Sequence, residues 1–155
     1  MKGDKKVLDT LNNLLADELT AINQYIVHGE INDDWGYEKI SKAVEQRAIG
    51  EMKHAEKLIK RILFLEGMPI VTNLKKISIG AKLEKQYAND KQAEEMAIKA
   101  YNDAIALVTK AGDNGTADLL KSILADEEAH IDWIEAQEQQ ISQMGLATYL
   151  TEQIS

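Results

Sequence analysis

Apolar residues recur at three- and four-residue steps in four long stretches of this chain, the spacing of one helix face. The first stretch runs from about Asp4, a good N-cap, to about Asn32, with the stripe Leu8, Leu11, Leu15, Glu18, Ile22 and Tyr25. Asp33, Asp34, Trp35 and Gly36 interrupt it. The second continues to about Glu66 and carries Ile40, Val44, Ala48, Glu51, Ala55, Leu58, Ile62 and Leu65. Gly67 is expected to end it in the left-handed conformation, and Pro69 to prevent its continuation. The third, from about Lys82 to Ala111, carries Leu83, Tyr87, Asp90, Glu94, Ile98, Tyr101, Ile105 and Val108. After the turn Gly112-Asp113-Asn114-Gly115, a fourth runs from about Thr116 to Met144 with Leu120, Ile123, Glu127, His130, Ile131, Ile134, Glu138 and Ile141. Gly145 ends it, and Leu146 to Gln153 suits a short fifth helix.

The connections set the topology. Helices one and two, and three and four, are joined by short turns, so each pair is an antiparallel hairpin. The segment between helices two and three is about 15 residues long and lacks periodicity; extended, it reaches roughly 50 Å. A helix of about 28 residues is about 42 Å long. The segment can therefore cross the length of the bundle and leave the third helix parallel to the second. The pattern predicts an all-α four-helix bundle with a long crossover and a short C-terminal helix.

Composition narrows the possible functions. The chain has 155 residues, 45% of them hydrophobic, with one proline and 5% aromatics, which excludes an all-β fold. The net charge of −8 disfavours a nucleic-acid partner and suits one that attracts cations. Without cysteine there is no disulfide, iron–sulfur cluster or thiol nucleophile. No stretch is apolar enough for a membrane helix or a signal core, so a soluble cytoplasmic protein is expected.

Four glutamates interrupt the apolar stripes, one per helix: Glu18, Glu51, Glu94 and Glu127. A buried carboxylate is costly unless compensated. Two histidines follow at helical spacing, in Glu51-x-x-His54 and Glu127-x-x-His130, and each pair has its lone glutamate 33 residues upstream. Glu-x-x-His puts both side chains on one helix face. The matched offset in both halves turns two weak local motifs into one layer of four carboxylates and two imidazoles. Two divalent ions would balance its charge, and this donor set suits Fe(II), Mn(II) or Zn(II).

The constellation resembles that of the ferritin-like di-iron carboxylate bundles, and the surrounding text is similar to the bacterioferritin family. The similar stretches are Met1 to Asp4, Glu18 to Tyr25, Trp35-Gly36, Glu51 to Ala55, Arg61 to Gly67, and Asp126 to Trp133. The resemblance implies one ferritin-like di-iron domain over residues 1–155 and a ferroxidase that stores iron as a ferric mineral. Glu18, Glu51, His54, Glu94, Glu127 and His130 would be its ligands, with Glu51 and Glu127 bridging two iron ions. It also implies a homo-oligomeric shell of 24 subunits, with b-type haem at two-fold interfaces held by Met52 of each subunit. Leu19, Ile22, Asn23 and Ile26 would neighbour the haem. The implied partners are Fe(II), dioxygen or hydrogen peroxide, and an electron-donor ferredoxin. Independently of the resemblance, Met52 lies 100° around its helix from Glu51, away from the metal layer. The chain departs from some family members at Gln46 and Gly50, where a histidine and an aspartate form an extra inner-surface iron site.

Other residues carry weaker signals. Tyr25 and Tyr101 each lie seven residues after Glu18 and Glu94. Tyr25 is read as a redox or ligand-contacting residue, Tyr101 as packing only. His28 has no partner at ligand spacing and is read as structural or interfacial, and Trp35 and Trp133 as packing anchors. Asp126 and Glu128, beside Glu127, are read as solvated or as contacts to ligands. Two further functions fit the same bundle: a di-iron or di-manganese peroxidase, catalase or oxygenase, and a non-enzymatic haem-binding bundle.

Overall fold

The computed structural model describes residues 1–155 and consists of five helices: α1 (Lys5–Asp34), α2 (Glu38–Phe64), α3 (Leu83–Lys110), α4 (Asn114–Met144) and α5 (Leu146–Thr151). None is long and apolar enough to cross a membrane. Asp4 caps α1 as expected, accepting from the amides of Lys6 and Val7. Asp113, not Thr116, caps α4, accepting from the Thr116 amide. The α3–α4 turn is therefore tighter than the sequence suggested, which brings Glu94 and Glu127 closer to one level.

The end of α2 differs from expectation. Glu66, not Gly67, takes the left-handed conformation, at φ 61°. Gly67 is needed for proximity instead: a Cβ there would meet Leu8 Cδ2 at 2.5 Å and Ile62 Cγ2 at 3.1 Å. The chain end folds onto this corner, with the Gly3 amide donating to the Leu65 carbonyl.

The apolar stripes close into two clusters. One, around Leu11, Leu15, Leu58, Ile62, Val108, Leu120 and Ile123, fills the end holding the N-terminus of α1. The other, around Tyr25, Ile40, Val44, Leu83, Tyr87, Ile134 and Tyr149, fills the opposite end. Gly145, at φ 82°, turns α5 back over that second cluster. There the Tyr149 hydroxyl donates to Gln137 and accepts from Tyr87. Between the two clusters lies the glutamate layer.

The crossover, residues 66–82, runs along α1 and delivers α3 parallel to α2. Its backbone groups need partners, since it forms no regular structure of its own. Asn12 serves Met68 and Ile70, Thr20 accepts from the Lys75 amide, Gln24 from Ser78, and His28 Nε2 from Gly80. From the other side, Asn89 donates to the Ser78 carbonyl and Gln86 to that of Gly80. His28 is fully buried, and its Nδ1 lies 2.9 Å from Asp90 Oδ1. Because Nε2 accepts, Nδ1 carries the proton shared with Asp90. His28 is thus structural, as read from the sequence.

Candidate metal centre

Helical periodicity alone brings six side chains to the bundle axis. Glu18 on α1, Glu51 and His54 on α2, Glu94 on α3, and Glu127 and His130 on α4 meet in one layer. The four glutamates and His54 are nearly inaccessible, and His130 keeps 18% of its side-chain surface. Their donor atoms form two groups, each within 4.8 Å: Glu18, Glu51, His54 and Glu127, and Glu51, Glu94, Glu127 and His130. Glu51 and Glu127 belong to both groups. The layer therefore offers two four-residue sites that share two carboxylates.

Both histidines present Nδ1 to the layer. His54 Nδ1 lies 2.9 Å from Glu127, 3.5 Å from Glu51 and 3.6 Å from Glu18. His130 Nδ1 lies 3.1 Å from Glu51, 3.5 Å from Glu94 and 3.7 Å from Glu127. These approaches are close, but the geometry is not that of hydrogen bonds. Eight buried side-chain polar atoms in the chain lack a hydrogen-bond partner, and six are one from each residue of the layer. They are Glu18 Oε2, Glu51 Oε1, His54 Nδ1, Glu94 Oε2, Glu127 Oε1 and His130 Nδ1. A buried orphan polar group is expensive. Six aimed at one space are what a cation would satisfy.

The electrostatics reflect crowding. Burial, reinforced by Glu51, raises the Glu18 carboxyl well above the usual carboxylate range. Burial and the Glu127 contact raise Glu94 likewise. Burial also works against Glu51 and Glu127, but contacts with the lone glutamates and both histidines outweigh it and hold them low. Burial disfavours the His130 cation, yet Glu127, Glu51 and Glu94 push its pKa up to about 11. His54 is raised for the same reason by Glu127, Glu18 and Glu51. The shifts of both histidines, Glu18 and Glu94 thus all favour the protonated form when no cation is bound.

The supports of the layer are crossed. Tyr25 on α1 donates to Glu94 on α3, and Tyr101 on α3 donates to Glu18 on α1, at 2.5 Å for the latter. Tyr101 is therefore not packing alone, contrary to expectation; its hydroxyl orients a ligand carboxylate exactly as its counterpart in the other half does. The shared seven-residue offset from Glu18 and Glu94 was the available signal. His54 turns its distal Nε2 to Asp126 at 2.8 Å, which fixes the ring with Nδ1 inward. Arg47, buried and unremarked in the sequence, lies over the rings of Trp133 at 4.9 Å and Tyr25 at 5.7 Å. Trp133 also packs on Tyr87 as an anchor, whereas Trp35 is 41% exposed against Tyr37.

The residues named for haem and for the inner-surface site lie outside the layer. Met52 is 45% exposed on the outer side of α2, and Ile26 on α1 is 47% exposed. Leu19 and Ile22 are half-buried, and Asn23 turns its amide back to the Leu19 carbonyl. An exposed thioether on α2 and the exposed Ile26 on α1 are compatible in chemistry with an apolar, iron-bearing group such as haem. Gln46 is exposed and Gly50 offers no side chain, so neither adds a carboxylate.

Residues 8–144 match the model of the ferritin-like domain. The chain belongs to the ferritin-like family. Within it, the chain is similar to the bacterioferritin of Mycolicibacterium paratuberculosis, at 37% identity over all of this chain and 98% of the relative. It is 42% identical to the bacterioferritin of Rhodobacter capsulatus over 88% of this chain and 85% of the relative. It is 37% identical to that of Streptomyces coelicolor over 97% and 90% respectively. Ferritin-like architecture and the bacterioferritin resemblance are thus established along nearly the full chain.

Proposed function

We propose that this chain binds Fe(II) in the six-residue layer, oxidises it to Fe(III), and stores the product as a ferric mineral. The observation that carries this is the set of six orphaned buried atoms, one on each layer residue. Iron is the substrate. Two Fe(II) ions occupy the two donor groups, and Glu51 and Glu127 touch both. Each ion gives one electron, so the pair supplies the two that convert dioxygen, with two protons, into hydrogen peroxide. Hydrogen peroxide can take a further two, giving water. Anionic oxygen donors stabilise Fe(III) over Fe(II), which drives the step and fits hard-cation chemistry. The tyrosine hydroxyls and Asp126 hold the ligands in place.

Copies of the chain, 24 by family resemblance, would enclose the mineral. Met52 and its equivalent in a second copy would hold haem, and Ile26 and Leu19 would offer it apolar surface. Bound haem supplies one-electron transfer, here for reducing stored iron with electrons from a ferredoxin-type donor. The chain's part is to present the thioether at an uncovered surface.

Stopped-flow oxidation of Fe(II) tests the proposal. Glu18→Ala and His130→Ala are each expected to abolish the fast phase. Wild-type rates in both would overturn it. The peroxidase or catalase reading would instead be favoured by rapid peroxide turnover with no net accumulation of ferric iron.

A further inference from the structure

A cleft reaches the layer from the side of the four glutamates. It opens between α1, α3 and the crossover, with about 90 Å³ of space for the centres of water-sized molecules. That is several times what one water needs. All four layer glutamates line its floor, and neither histidine does. The histidines face the α2–α4 side, where Asp126 is 55% exposed.

The mouth has an unusual charge pattern for a route to an acidic metal site. Lys75 and Lys76, from the crossover, stand at it with Asp17 and the 64% exposed Met96. Lys75 is fixed twice: its amide donates to Thr20 Oγ1 at 2.8 Å, and its ammonium pairs with Asp17 at 2.5 Å. Asp17 thus has its charge committed, and Lys76 has no carboxylate partner. Thr20 and Gln24, the neutral polar groups of the cleft, are occupied by crossover amides. The rest of the wall is Ala21, Ala93, Ala97 and Tyr25, whose hydroxyl is given to Glu94. A hydrated divalent cation entering here meets the neutral Lys75–Asp17 pair, the unpaired Lys76 ammonium and no free carboxylate until the floor. A small neutral molecule meets no such barrier.

The geometry points to this cleft as the passage of the neutral oxidant, with Lys75, which neutralises Asp17, and the unpaired Lys76 together disfavouring Fe(II) there. The ions then reach the layer by the histidine side. This rests on the metal-site reading above, and it separates the routes of the two reactants on opposite faces of the layer.

Two variants test it, read in two assays: anaerobic binding kinetics of Co(II), and oxidation of Fe(II)-loaded protein on mixing with dioxygen. Ala97→Phe, which plugs the cleft, is expected to slow oxidation severalfold and leave Co(II) binding unchanged. Lys75→Glu is expected to speed Co(II) binding about tenfold, the low end of electrostatic effects on entry, with a rate that falls as salt rises. Slower Co(II) binding with unchanged oxidation in Ala97→Phe would overturn the assignment, making the cleft a cation route. So would an unchanged Co(II) rate in Lys75→Glu, whose surface position keeps that test independent of the plug's folding. Failure of the wild-type protein to bind Co(II) at all would overturn the metal-site reading itself.

Discussion

At the scale of single residues, the layer gathers four carboxylates and two imidazoles and leaves one buried atom of each without a hydrogen-bond partner. His130 illustrates this. Its pKa rises from 6.5 to about 11 because three glutamates face it. A raised histidine value stabilises the metal-free fold fully below pH 6.5, and that contribution fades as pH rises through about 11. Metal binding needs the neutral imidazole, so it must expel this proton, and the upward shifts of His54, Glu18 and Glu94 oppose it in the same direction. Apparent metal affinity should therefore increase with pH, and calorimetry of Co(II) binding in two buffers of different ionisation heat should detect proton release. Heats independent of buffer would contradict the protonated layer. The supporting contacts should matter at the level usual for groups that orient ligands. Tyr101→Phe and Asp126→Ala are each expected to weaken metal binding about 10-fold to 100-fold, measured by competition with a chelating dye.

At the scale of elements, the crossover is the piece that makes the bundle's connectivity possible, and it is held by polar groups buried in α1 and α3. His28→Leu would strand the Gly80 amide and remove one partner of Asp90. The expected loss is about 1–3 kcal/mol in urea unfolding, with faster amide exchange at Gly80 as the local signature. Unchanged exchange there would show that His28 does not anchor the segment. These elements also show what periodicity can and cannot convey. The four stripes and the crossover were legible because burial imposes a regular spacing on apolar side chains. The stripe positions Glu18, Glu51, Glu94 and Glu127 were legible as violations of that spacing. Gln86 and Asn89 were not, since they donate to backbone carbonyls of an aperiodic segment, which leave no pattern in the chain; nor was Asn32, which donates to the Gln86 side chain. Gly67 was legible as a stop signal but for the wrong reason: the close approach of Leu8, not its own backbone angle, demands glycine. Tyr101 was undervalued because its partner, Glu18, lies 83 positions away.

At the scale of the whole molecule, two helical hairpins each contribute half of a six-residue layer, and each half steadies the lone glutamate of the other through a tyrosine. Two apolar clusters hold the layer from either end, so the fold's stability is stored beside the site rather than in it. Met52, one residue from Glu51 and 100° around α2 from it, is exposed outside the layer. Met52→Leu should erase haem absorption bands while leaving Fe(II) oxidation intact; loss of both together would tie Met52 to the layer. The most direct test of the central claim is an anaerobic Fe(II) titration followed by absorbance or Mössbauer spectroscopy. Saturation at two ions per chain is expected from the two donor groups, falling in Glu127→Ala, which removes a carboxylate common to both. A single ion per chain, or two in both proteins with equal affinity, would contradict a shared two-ion layer.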